Sequence, residues 1–583
     1  MDGKEKELKK LIETKVFIKN ADEQIGIRNN PNSWIFDFRR ILMNGKAANL
    51  ISDIFYEKYR SQYPFQLCAL EIAGVPLVTS LMTKFFYNGQ EDINAFFIRK
   101  SRKKSGLLRM VEGTIENEKQ IILVDDIINS GNSFWRQIRV LDRLGYKVDV
   151  VWSVLRFRDP EYYKRFHNRG IRVESLFTLD DFTDSLGPIV HNIKKRDPQP
   201  RKVWFKSDWM FSSENPSLNY VVSKSQPVID DTKVYMGSDN EIFWAINQED
   251  GSVAWKFKVG EHIKKKSIFS NPVLYKNLVI FGSYDGNVYA LDKETGEEKW
   301  VCFEADWIGS SPALAEDLGI VFIGLEFGLF RRHGGIIALN AETGERIWSD
   351  FEHPAYTHAS PHYIHEYEQV AIGSNDGKMR LYNAKTGEKI WETTTFGGSV
   401  YKKRRNAGFG KGDVKESSVY DPKHDYIIFG SMDGFLYILD RENGHIAHHY
   451  RCRHGIWATP QLFDNKVYFV STDKRLRCIN LDTLDIVFDV MVDKTRIYSR
   501  PVIINGKLYV GTNAGRLHEL DPYTGQKIGY FQALERITNS VVYNEKTGYF
   551  FLPTYANELY RLTRRENKKL ITDPQTPEQE PNL

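Results

Sequence analysis

The sequence predicts a multidomain protein in which an α/β domain precedes an all-β, eight-bladed propeller. In the first part of the chain, apolar or β-branched runs alternate with helix-length segments, which is typical of a mostly parallel sheet covered by helices. From residue 203 onwards, short strands and glycine turns recur with a period of about 45 residues, the size of a propeller blade. Prolines and charges at 194–202 (KKRDPQPRK) interrupt the first pattern before the second begins.

These observations give the expected domain boundaries. We expect an α/β domain at 1–193, a linker at 194–201, a propeller at 202–563 and a disordered polar tail at 564–583. A hydrophobic content of 41% is ample for large cores. The net charge of +4 is small for 583 residues, so the overall charge singles out no partner.

Composition also bears on the compartment. The N-terminal segment MDGKEKELKK is charged and lacks the apolar stretch of a signal peptide. No run approaches the roughly 20 apolar residues of a membrane span, so we expect no membrane partner. Four cysteines without CxxC spacing indicate neither a disulfide framework nor a zinc or redox site. A reducing, cytoplasmic location is therefore expected.

The strongest local signal is a strand, two acids, a polar turn and an amphipathic helix, starting at Ile121. The strand ends in Asp125 and Asp126, and the helix begins near Ser133. Backbone N–H groups at such a turn converge on an anion, and the helix dipole adds attraction. The two carboxylates cannot bind the phosphate, so they would accept hydrogen bonds from donors such as ribose hydroxyls. The pattern therefore predicts a site for a phosphorylated sugar.

This segment resembles the signature of the phosphoribosyltransferase family, and the wider match points to its orotate phosphoribosyltransferase branch. Residues 71–77 (EIAGVPL) are similar to the pyrophosphate loop of that branch, and 97–100 (FIRK) to the strand before its mobile catalytic loop. Residues 170–181 (GIRVESLFTLDD) look like its last strand, and 34–39 (WIFDFR) like its substrate-side strand. The resemblance spans residues 1–185 in order.

The resemblance implies that the domain binds 5-phosphoribosyl 1-pyrophosphate. It also implies a role for each matching residue. Asp125 and Asp126 would hold the ribose hydroxyls and stabilise the developing oxocarbenium ion, and Lys103 would contact the pyrophosphate. Residues 128–133 would cradle the 5′-phosphate, and Arg156 would contact the base. The complete set of expected substrate-binding residues is Ala73, Gly74, Arg99, Lys100, Ile128, Asn129, Ser130, Gly131, Asn132, Ser133 and Arg156.

The family also implies a metal and an assembly. Magnesium would be carried in by the pyrophosphate, so we expect no metal cage made by the protein alone. A homodimer is implied, because the mobile loop of family members commonly reaches the partner's site. The basic run at 99–104 has two other interpretations, a solvated loop and a nucleic-acid contact, and Arg156 has the alternative of a side chain that merely extends from a strand end.

Departures from the family pattern bear on the acceptor. Ser105 stands where the loop has a histidine, and Leu155 stands where an acid precedes Arg156. Asn129 replaces the first threonine of the turn and can still donate a hydrogen bond. The substrate-side lysine of the family has no matching lysine here, and Arg28 is the candidate for its place. Binding of the phosphoribosyl group is therefore expected, whereas specificity for orotate is not.

The second domain consists of eight repeats. Each repeat has a strand start, a hairpin turn such as GSYDGNVYALD at 282–292, and in several repeats a closing segment such as TGERIW at 343–348. The glycines allow positive φ, and the tryptophans would pack between blades. Residues 202–209 echo 299–307, so we expect residues 202–206 to complete the last blade and to leave no free sheet edge. The repeats begin at Ser225, Ser270, Ser310, Ala359, Ser417, Ala458, Ser499 and Asn539.

These repeats resemble the pyrroloquinoline-quinone-type propeller family. Enzymes of that family carry adjacent cysteines against the cofactor, and no two cysteines here are adjacent, so we expect no pyrroloquinoline quinone. An insertion at 326–333 and a basic, glycine-rich segment at 395–416 are natural recognition loops, although the second could instead be a disordered insertion.

Three functions are consistent with these patterns. The leading one is a phosphoribosyltransferase that modifies a nitrogen of a base-like acceptor, with a propeller that binds a protein partner or the substrate. The alternative is a sensor that binds phosphoribosyl pyrophosphate or a nucleotide without turnover, with the propeller as an interaction scaffold in stress or defence. In the third, the N-terminal domain is a regulator and the propeller binds nucleic acid through Lys402, Lys403, Arg404 and Arg405, which would make binding strongly salt-dependent.

Overall fold

The computed structural model describes residues 1–19, 34–70, 74–99, 111–186, 203–213, 225–260, 268–398 and 412–566. The chain divides into two compact units, Met1–Gln199 and Pro200–Leu583. The predicted linker at 194–201 lies outside the described residues. None of the helices in the described ranges combines the length and the hydropathy needed to cross a membrane.

The first unit contains seven α-helices and eight strands among its described residues. The helices are α1 Gly3–Leu11, α2 Arg39–Leu42, α3 Gly45–Tyr59, α4 Gly74–Tyr87, α5 Asn132–Arg143, α6 Lys164–His167 and α7 Thr183–Leu186. A π-helical turn spans Ile12–Val16, and 3-10 turns span Arg60–Gln62, Pro160–Tyr163 and Leu179–Phe182. The strands are β1 Phe17–Lys19, β2 Trp34–Phe36, β3 Phe65–Leu70, β4 Asn94–Ile98, β5 Val111–Glu112, β6 Gln120–Ile128, β7 Val150–Arg156 and β8 Arg172–Thr178.

Six of these strands form one sheet in the order β5-β4-β3-β6-β7-β8. All its neighbours are parallel except β4 and β5, while β1 and β2 form a separate antiparallel pair. The six residues of β3 are all buried, as expected for a strand covered on both faces. The α/β class predicted for this part of the chain is confirmed.

The position of β6 explains where a site can form. It lies between β3 and β7, so its last residues are flanked by the carboxyl ends of two other parallel strands. In open α/β sheets, ligands bind beyond the carboxyl ends of the strands. The acid pair and the polar turn lie at the carboxyl end of β6, on this edge.

The described residues of the second unit form eight four-stranded antiparallel blades, the last two of which are joined into one sheet by a parallel pairing of Gly529 with Val203. This arrangement confirms the predicted propeller class. The first strands of the blades are Val228–Ile229, Val273–Tyr275, Ala313–Ala315, His362–Ile364, Val419–Asp421, Gln461–Phe463, Val502–Ile504 and Val542–Asn544. The second strands are Lys233–Gly237, Leu278–Gly282, Ile320–Phe327, Gln369–Gly373, Tyr426–Gly430, Lys466–Ser471, Lys507–Gly511 and Tyr549–Pro553. The third strands are Ile242–Asn247, Asn287–Asp292, His333–Asn340, Lys378–Asn383, Phe435–Asp440, Arg475–Asn480, Arg516–Leu520 and Glu558–Glu566. The fourth strands are Val253–Lys258, Glu298–Phe303, Arg346–His353, Lys389–Thr394, Ile446–Arg451, Ile486–Met491, Lys527–Gln532 and, in blade eight, β9 at Val203–Ser212. A 3-10 turn at His365–Tyr367 follows the first strand of blade four.

The last blade differs from the prediction in its extent. The strand β9 runs to Ser212, well beyond residue 206, and pairs antiparallel with the third strand of that blade from Glu566 to Glu558. Residues 564–566 therefore belong to a strand and not to the predicted tail. The Arg564 guanidinium is held in place by the buried Glu519 carboxylate, at 2.6 and 2.7 Å. Residues 567–583 lie outside the described part of the chain.

A repeated contact locks neighbouring blades together. A tryptophan of one blade packs on a left-handed glycine of the next, where a Cβ atom would lie within 2.6–2.7 Å of the indole. Each indole N–H also donates to a backbone carbonyl of that next blade, at 2.8–3.3 Å. The pairs are Trp209 with Gly251, Trp255 with Gly296, Trp300 with Gly344, Trp348 with Gly387, and Trp391 with Gly444.

Candidate functional site

The two acids lie within the last four residues of β6, where this strand is still paired with β7. Asp125 is paired with Ser153 of β7, and Ile128 with Arg156. The backbone N–H of Asp126 donates to Asp125 Oδ1 at 3.0 Å, and that of Ile127 donates to Asp126 Oδ1 at 2.8 Å. These bonds hold both carboxylates near the carboxyl end of β6, where they can accept hydrogen bonds from a polyhydroxyl ligand.

The electrostatic surroundings of Asp126 are unusual. Burial raises the pKa of its carboxyl above the usual range, while hydrogen bonds with Asp125 and Ile127 and the charge of Arg39 counteract this in part. Arg39 begins α2 and is the last residue of the segment at 34–39 that the sequence assigns to the substrate side. The structure therefore brings that segment within electrostatic reach of the acid pair.

The polar turn between β6 and α5 comprises Asn129, Ser130 and Gly131. Gly131 adopts φ 71° at the N-cap of α5, a left-handed conformation that favours glycine. The backbone N–H groups of Asn129, Ser130, Gly131 and Ser133 donate no hydrogen bond to any described residue. Unsatisfied N–H groups at a helix N-terminus are the donors that an anion needs.

The expected pyrophosphate contacts are only partly within the described residues. Gly74 begins α4, and a Cβ atom there would lie 2.5 Å from the Ala69 Cβ, so the helix start can pack on β3 only without a side chain. Arg99 follows β4, and its Nη1 lies 3.3 Å from the Glu112 carboxylate. Ala73, Lys100 and Lys103 lie outside the described residues, and so does Ser105.

Arg156 and Leu155 end β7 beside the turn. Arg156 is half-buried, and its Nε is buried without a hydrogen-bond partner among the described residues. Leu155 is fully buried in the core of the unit. The residue before Arg156 therefore cannot contact a substrate in this structure. Arg28 lies outside the described residues.

One set of side chains at the turn was not evident from the sequence motifs. Arg158, Tyr163 and Arg165 follow β7 and hydrogen-bond to residues 128–132. The signal available in the sequence was the concentration of basic and aromatic residues in RFRDPEYYKRF at 156–166. That signal does not reveal its partners, because they lie about 30 residues earlier in the chain.

Side chains that could ligate a metal do not cluster within the described residues. No group of three or more His, Cys, Asp or Glu side chains that could hold a metal ion occurs within the described ranges. All four cysteines are free, and three of them lie in the propeller. The acid pair alone is too few ligands for a magnesium cage made by the described residues.

The two predicted recognition loops of the propeller have different outcomes. The hairpin of blade three reaches beyond those of the other blades and exposes Leu329 and Phe330, the latter completely. Asp306 Oδ2 accepts the backbone N–H groups of Gly328 and Leu329 at 2.8 Å, which anchors this hairpin. Most of the second loop, residues 399–411 with the basic residues 402–405, lies outside the described residues.

Comparisons with known proteins match the two units separately. The family model PQQ_2, described as outer membrane protein assembly factor BamB, matches residues 197–324, 329–406 and 411–542. Outer membrane protein assembly factor BamB of Shewanella oneidensis is 21% identical over 280 residues, which is 43% of this chain and 69% of that protein. The structure of a europium-containing methanol dehydrogenase superposes with a TM-score of 0.50 at 13% identity, over 62% of this chain and 93% of the other, and shows the fold alone.

The N-terminal unit matches a different group of proteins. Orotate phosphoribosyltransferase of Bradyrhizobium sp. (strain ORS 278) is 24% identical over 155 residues, which is 26% of this chain and 83% of that protein. The enzyme of Pyrococcus furiosus is 23% identical over 158 residues, 27% of this chain and 83% of that protein. The similarity predicted from the sequence motifs is therefore confirmed for this region.

Proposed function

The chain belongs through its propeller to the PQQ_2 family, described as outer membrane protein assembly factor BamB, and we propose that its N-terminal unit is a phosphoribosyltransferase. The observation that carries this proposal is the acid pair at the carboxyl end of a parallel strand, followed by a turn whose N–H groups donate to no described residue. A phosphorylated sugar has hydroxyls for the acids and a phosphate for the turn. The similarity to orotate phosphoribosyltransferases supports the same ligand.

The proposed reaction uses 5-phosphoribosyl 1-pyrophosphate. A nitrogen of the acceptor forms a bond to the anomeric carbon as the bond from that carbon to pyrophosphate breaks. Pyrophosphate leaves with the electron pair of the broken bond, and the nitrogen loses its proton to solvent water. Asp125 and Asp126 would hold the ribose hydroxyls and stabilise the positive charge that develops on the sugar, because fixed charges in a partly buried site stabilise such charge strongly.

The other residues expected at the site have supporting parts in this proposal. Arg99, Lys100 and Lys103 would stabilise the leaving pyrophosphate together with Ala73 and Gly74, and Arg156 would contact the acceptor. Magnesium would enter with the pyrophosphate and would neutralise part of the charge that this group gains. We also propose a homodimer, because the family resemblance implies one.

We propose an acceptor other than orotate. Leu155 is buried in the core where the family has an acid, so one expected contact to that base is missing. This same observation favours the second candidate, a sensor that binds phosphoribosyl pyrophosphate or a nucleotide without turnover. In either case the propeller would bind a protein, and the anchored, apolar tip at Leu329 and Phe330 supports that assignment.

The test is release of pyrophosphate from phosphoribosyl pyrophosphate and magnesium by the intact chain, across a panel of bases, nucleosides and peptides. We expect acceptor-dependent release that falls at least ~100-fold in Asp125→Asn/Asp126→Asn, because the variant loses the charges facing the sugar. The matched control is Glu91→Gln/Asp92→Asn, which neutralises another adjacent acid pair that is exposed at the surface.

The outcomes separate the two candidates. Equal losses in both double variants would contradict the assigned role of Asp125 and Asp126. Calorimetric binding of phosphoribosyl pyrophosphate without turnover of any panel member would establish the sensor in place of the transferase. A chain that binds neither phosphoribosyl pyrophosphate nor a nucleotide would exclude both.

A further inference from the structure

The segment at 157–167, which follows β7, packs against one side of the polar turn between β6 and α5, called the phosphate turn below. The backbone N–H of Phe157 donates to the carbonyl oxygen of Ile128 at 3.0 Å. The Tyr163 hydroxyl lies 3.2 Å from that oxygen and 2.8 Å from the carbonyl oxygen of Asn129. The Arg165 Nη2 donates to the carbonyl oxygen of Ser130 at 2.7 Å. Three consecutive carbonyls, that of Ile128 at the end of β6 and those of Asn129 and Ser130 in the turn, are thus bound by this one segment.

The direction of these carbonyls determines where the N–H groups point. In a trans peptide, the C=O of one residue and the N–H of the next point to opposite sides. Because the carbonyls of residues 128, 129 and 130 face the 157–167 segment, the N–H groups of Asn129, Ser130 and Gly131 point away from it. These are the N–H groups that donate to no described residue.

Two arginines also orient the side chains of the turn. Arg158 Nε donates to Asn129 Oδ1 at 3.1 Å, and Arg165 Nη2 donates to Asn132 Oδ1 at 3.1 Å. With their oxygens engaged by arginines, both asparagines direct their NH₂ groups elsewhere, and an NH₂ group can only donate. The turn therefore presents donors from its backbone and from its side chains.

Arg165 is itself held by aromatic rings. Its guanidinium carbon lies 5.2 Å from the centre of the Trp135 ring and 5.0 Å from that of Phe166. A Cβ atom on Gly131 would lie 2.9 Å from two Phe166 ring atoms and 3.3 Å from Arg165 Nη2. The turn, the arginine and the rings are thus in direct contact, and a fixed positive charge lies behind the turn.

We propose that Arg158, Tyr163 and Arg165 are positioning residues that set the turn as a site for a phosphate monoester. The proposal rests on the phosphoribosyltransferase assignment and adds residues that the family motif does not contain. The ligand class is a sugar carrying a 5′-phosphate, which phosphoribosyl pyrophosphate and nucleoside 5′-monophosphates share. Inorganic pyrophosphate, which lacks the sugar phosphate, would bind elsewhere in the site.

The chain contains a matched control for Arg165. Arg169 lies over the same Trp135 ring at 5.5 Å, but its guanidinium binds the Asp142 carboxylate at 2.8 and 2.9 Å and not the turn. Arg165→Gln and Arg169→Gln therefore remove the same charge from the same indole. Only the first removes a contact to the phosphate turn.

The experiment is calorimetric titration of the full chain with ribose 5-phosphate and, separately, with magnesium pyrophosphate. We expect Arg165→Gln to weaken ribose 5-phosphate binding about tenfold or more, since hydrogen bonds from charged groups are lost and the turn loses its orientation. Magnesium pyrophosphate binding should change less than about twofold in that variant, and Arg169→Gln should bind both ligands like the parent. Arg165→Lys should recover part of the affinity, because lysine keeps the charge without the planar fork.

Several results would overturn the proposal. Equal losses in Arg165→Gln and Arg169→Gln would show a general effect of surface charge. Equal losses of ribose 5-phosphate and pyrophosphate binding in Arg165→Gln would show a disturbed unit and not a positioned turn. Turnover of phosphoribosyl pyrophosphate that is insensitive to Arg165→Gln would refute the positioning role and leave the transferase assignment intact. Ribose 5-phosphate binding that depends on Arg165, without turnover with any acceptor, would support the positioning role and refute the transferase assignment.

Discussion

Two glycine turns in this chain use similar residues for opposite purposes. In blade three, the turn at 340–345 has Gly344 at φ 75°, and Asn340 Oδ1 accepts the N–H groups of Glu342 and Thr343 at 2.9 and 3.0 Å. Gly344 N–H donates to the Asn340 carbonyl and Glu345 N–H to Thr343 Oγ1, so four consecutive N–H groups are satisfied. In the N-terminal unit, the turn after β6 has Gly131 at φ 71°, and the N–H groups of Asn129, Ser130 and Gly131 donate to no described residue.

The difference indicates how to recognise a binding turn. A turn that satisfies its own donors needs no ligand, and the propeller repeats this arrangement around Asp292, Asn383, Asp440, Asn480 and Asp521. A turn whose carbonyls are bound while its N–H groups are not has its donors arranged for something that is not part of the chain. Stability should therefore depend on the first kind of turn, and ligand affinity on the second.

The largest effect should come from Gly344→Ala. The alanine would have to adopt the left-handed conformation of Gly344, and its methyl group would lie 2.6 Å from the Trp300 indole. Backbone strain and overpacking therefore both destabilise the variant. We expect a loss of about 3 kcal/mol in the free energy of unfolding of the propeller. Thermal unfolding, with hydrogen exchange of blades two and three, measures this.

Gly548→Ala is the control for Gly344→Ala. Gly548 also has φ 74°, but a Cβ atom there would meet only the Tyr543 hydroxyl, at 3.8 Å. Its cost should be about 1 kcal/mol, from backbone strain alone. Equal destabilisation by the two variants would show that the contact between tryptophan and glycine does not lock the blades.

The sequence predicts the parts of both regions that are local. The acid pair, the turn and the start of α5 are adjacent in the chain, so their pattern identified them, and the repeat period identified the blades. What the sequence did not show depends on pairing across long distances. The extent of β9 to Ser212 depends on pairing with a strand that lies about 350 residues later in the chain. Arg165 reaches the site only because the segment 157–167 packs on the turn.

An intermediate effect is expected for Gly131→Ala. An alanine would be strained at this left-handed φ, and its Cβ atom would lie 2.9 Å from the Phe166 ring and 3.3 Å from Arg165 Nη2. The turn and its N–H groups would therefore shift. We expect ribose 5-phosphate affinity to fall about tenfold, since the loss of one or two charge-assisted hydrogen bonds is of this size. Calorimetry on the full chain measures this affinity.

Gly145→Ala controls for left-handed strain within the same unit. Gly145 has φ 84°, a Cβ atom there would meet no other atom within 4 Å, and the residue follows α5 at the end remote from the turn. The ribose 5-phosphate affinity of this variant should match that of the parent chain. If both alanine variants weakened binding alike, general destabilisation would explain the loss and the comparison between the two turns would fail.

The smallest effects, and the sharpest comparison, should come from removing one asparagine from each turn. Asn340→Ala removes the acceptor for two N–H groups that are exposed and can bind water instead, so we expect a loss of only about 1 kcal/mol in propeller stability and no change in ribose 5-phosphate affinity. Asn129→Ala removes a side-chain donor and the contact of Arg158, so affinity should fall about threefold while unfolding stays within about 0.5 kcal/mol of the parent. The two variants must be measured in both assays, because each is expected to change only one of the two quantities. A loss of stability in Asn129→Ala without a loss of affinity would show that the turn after β6 is structural, like those of the propeller.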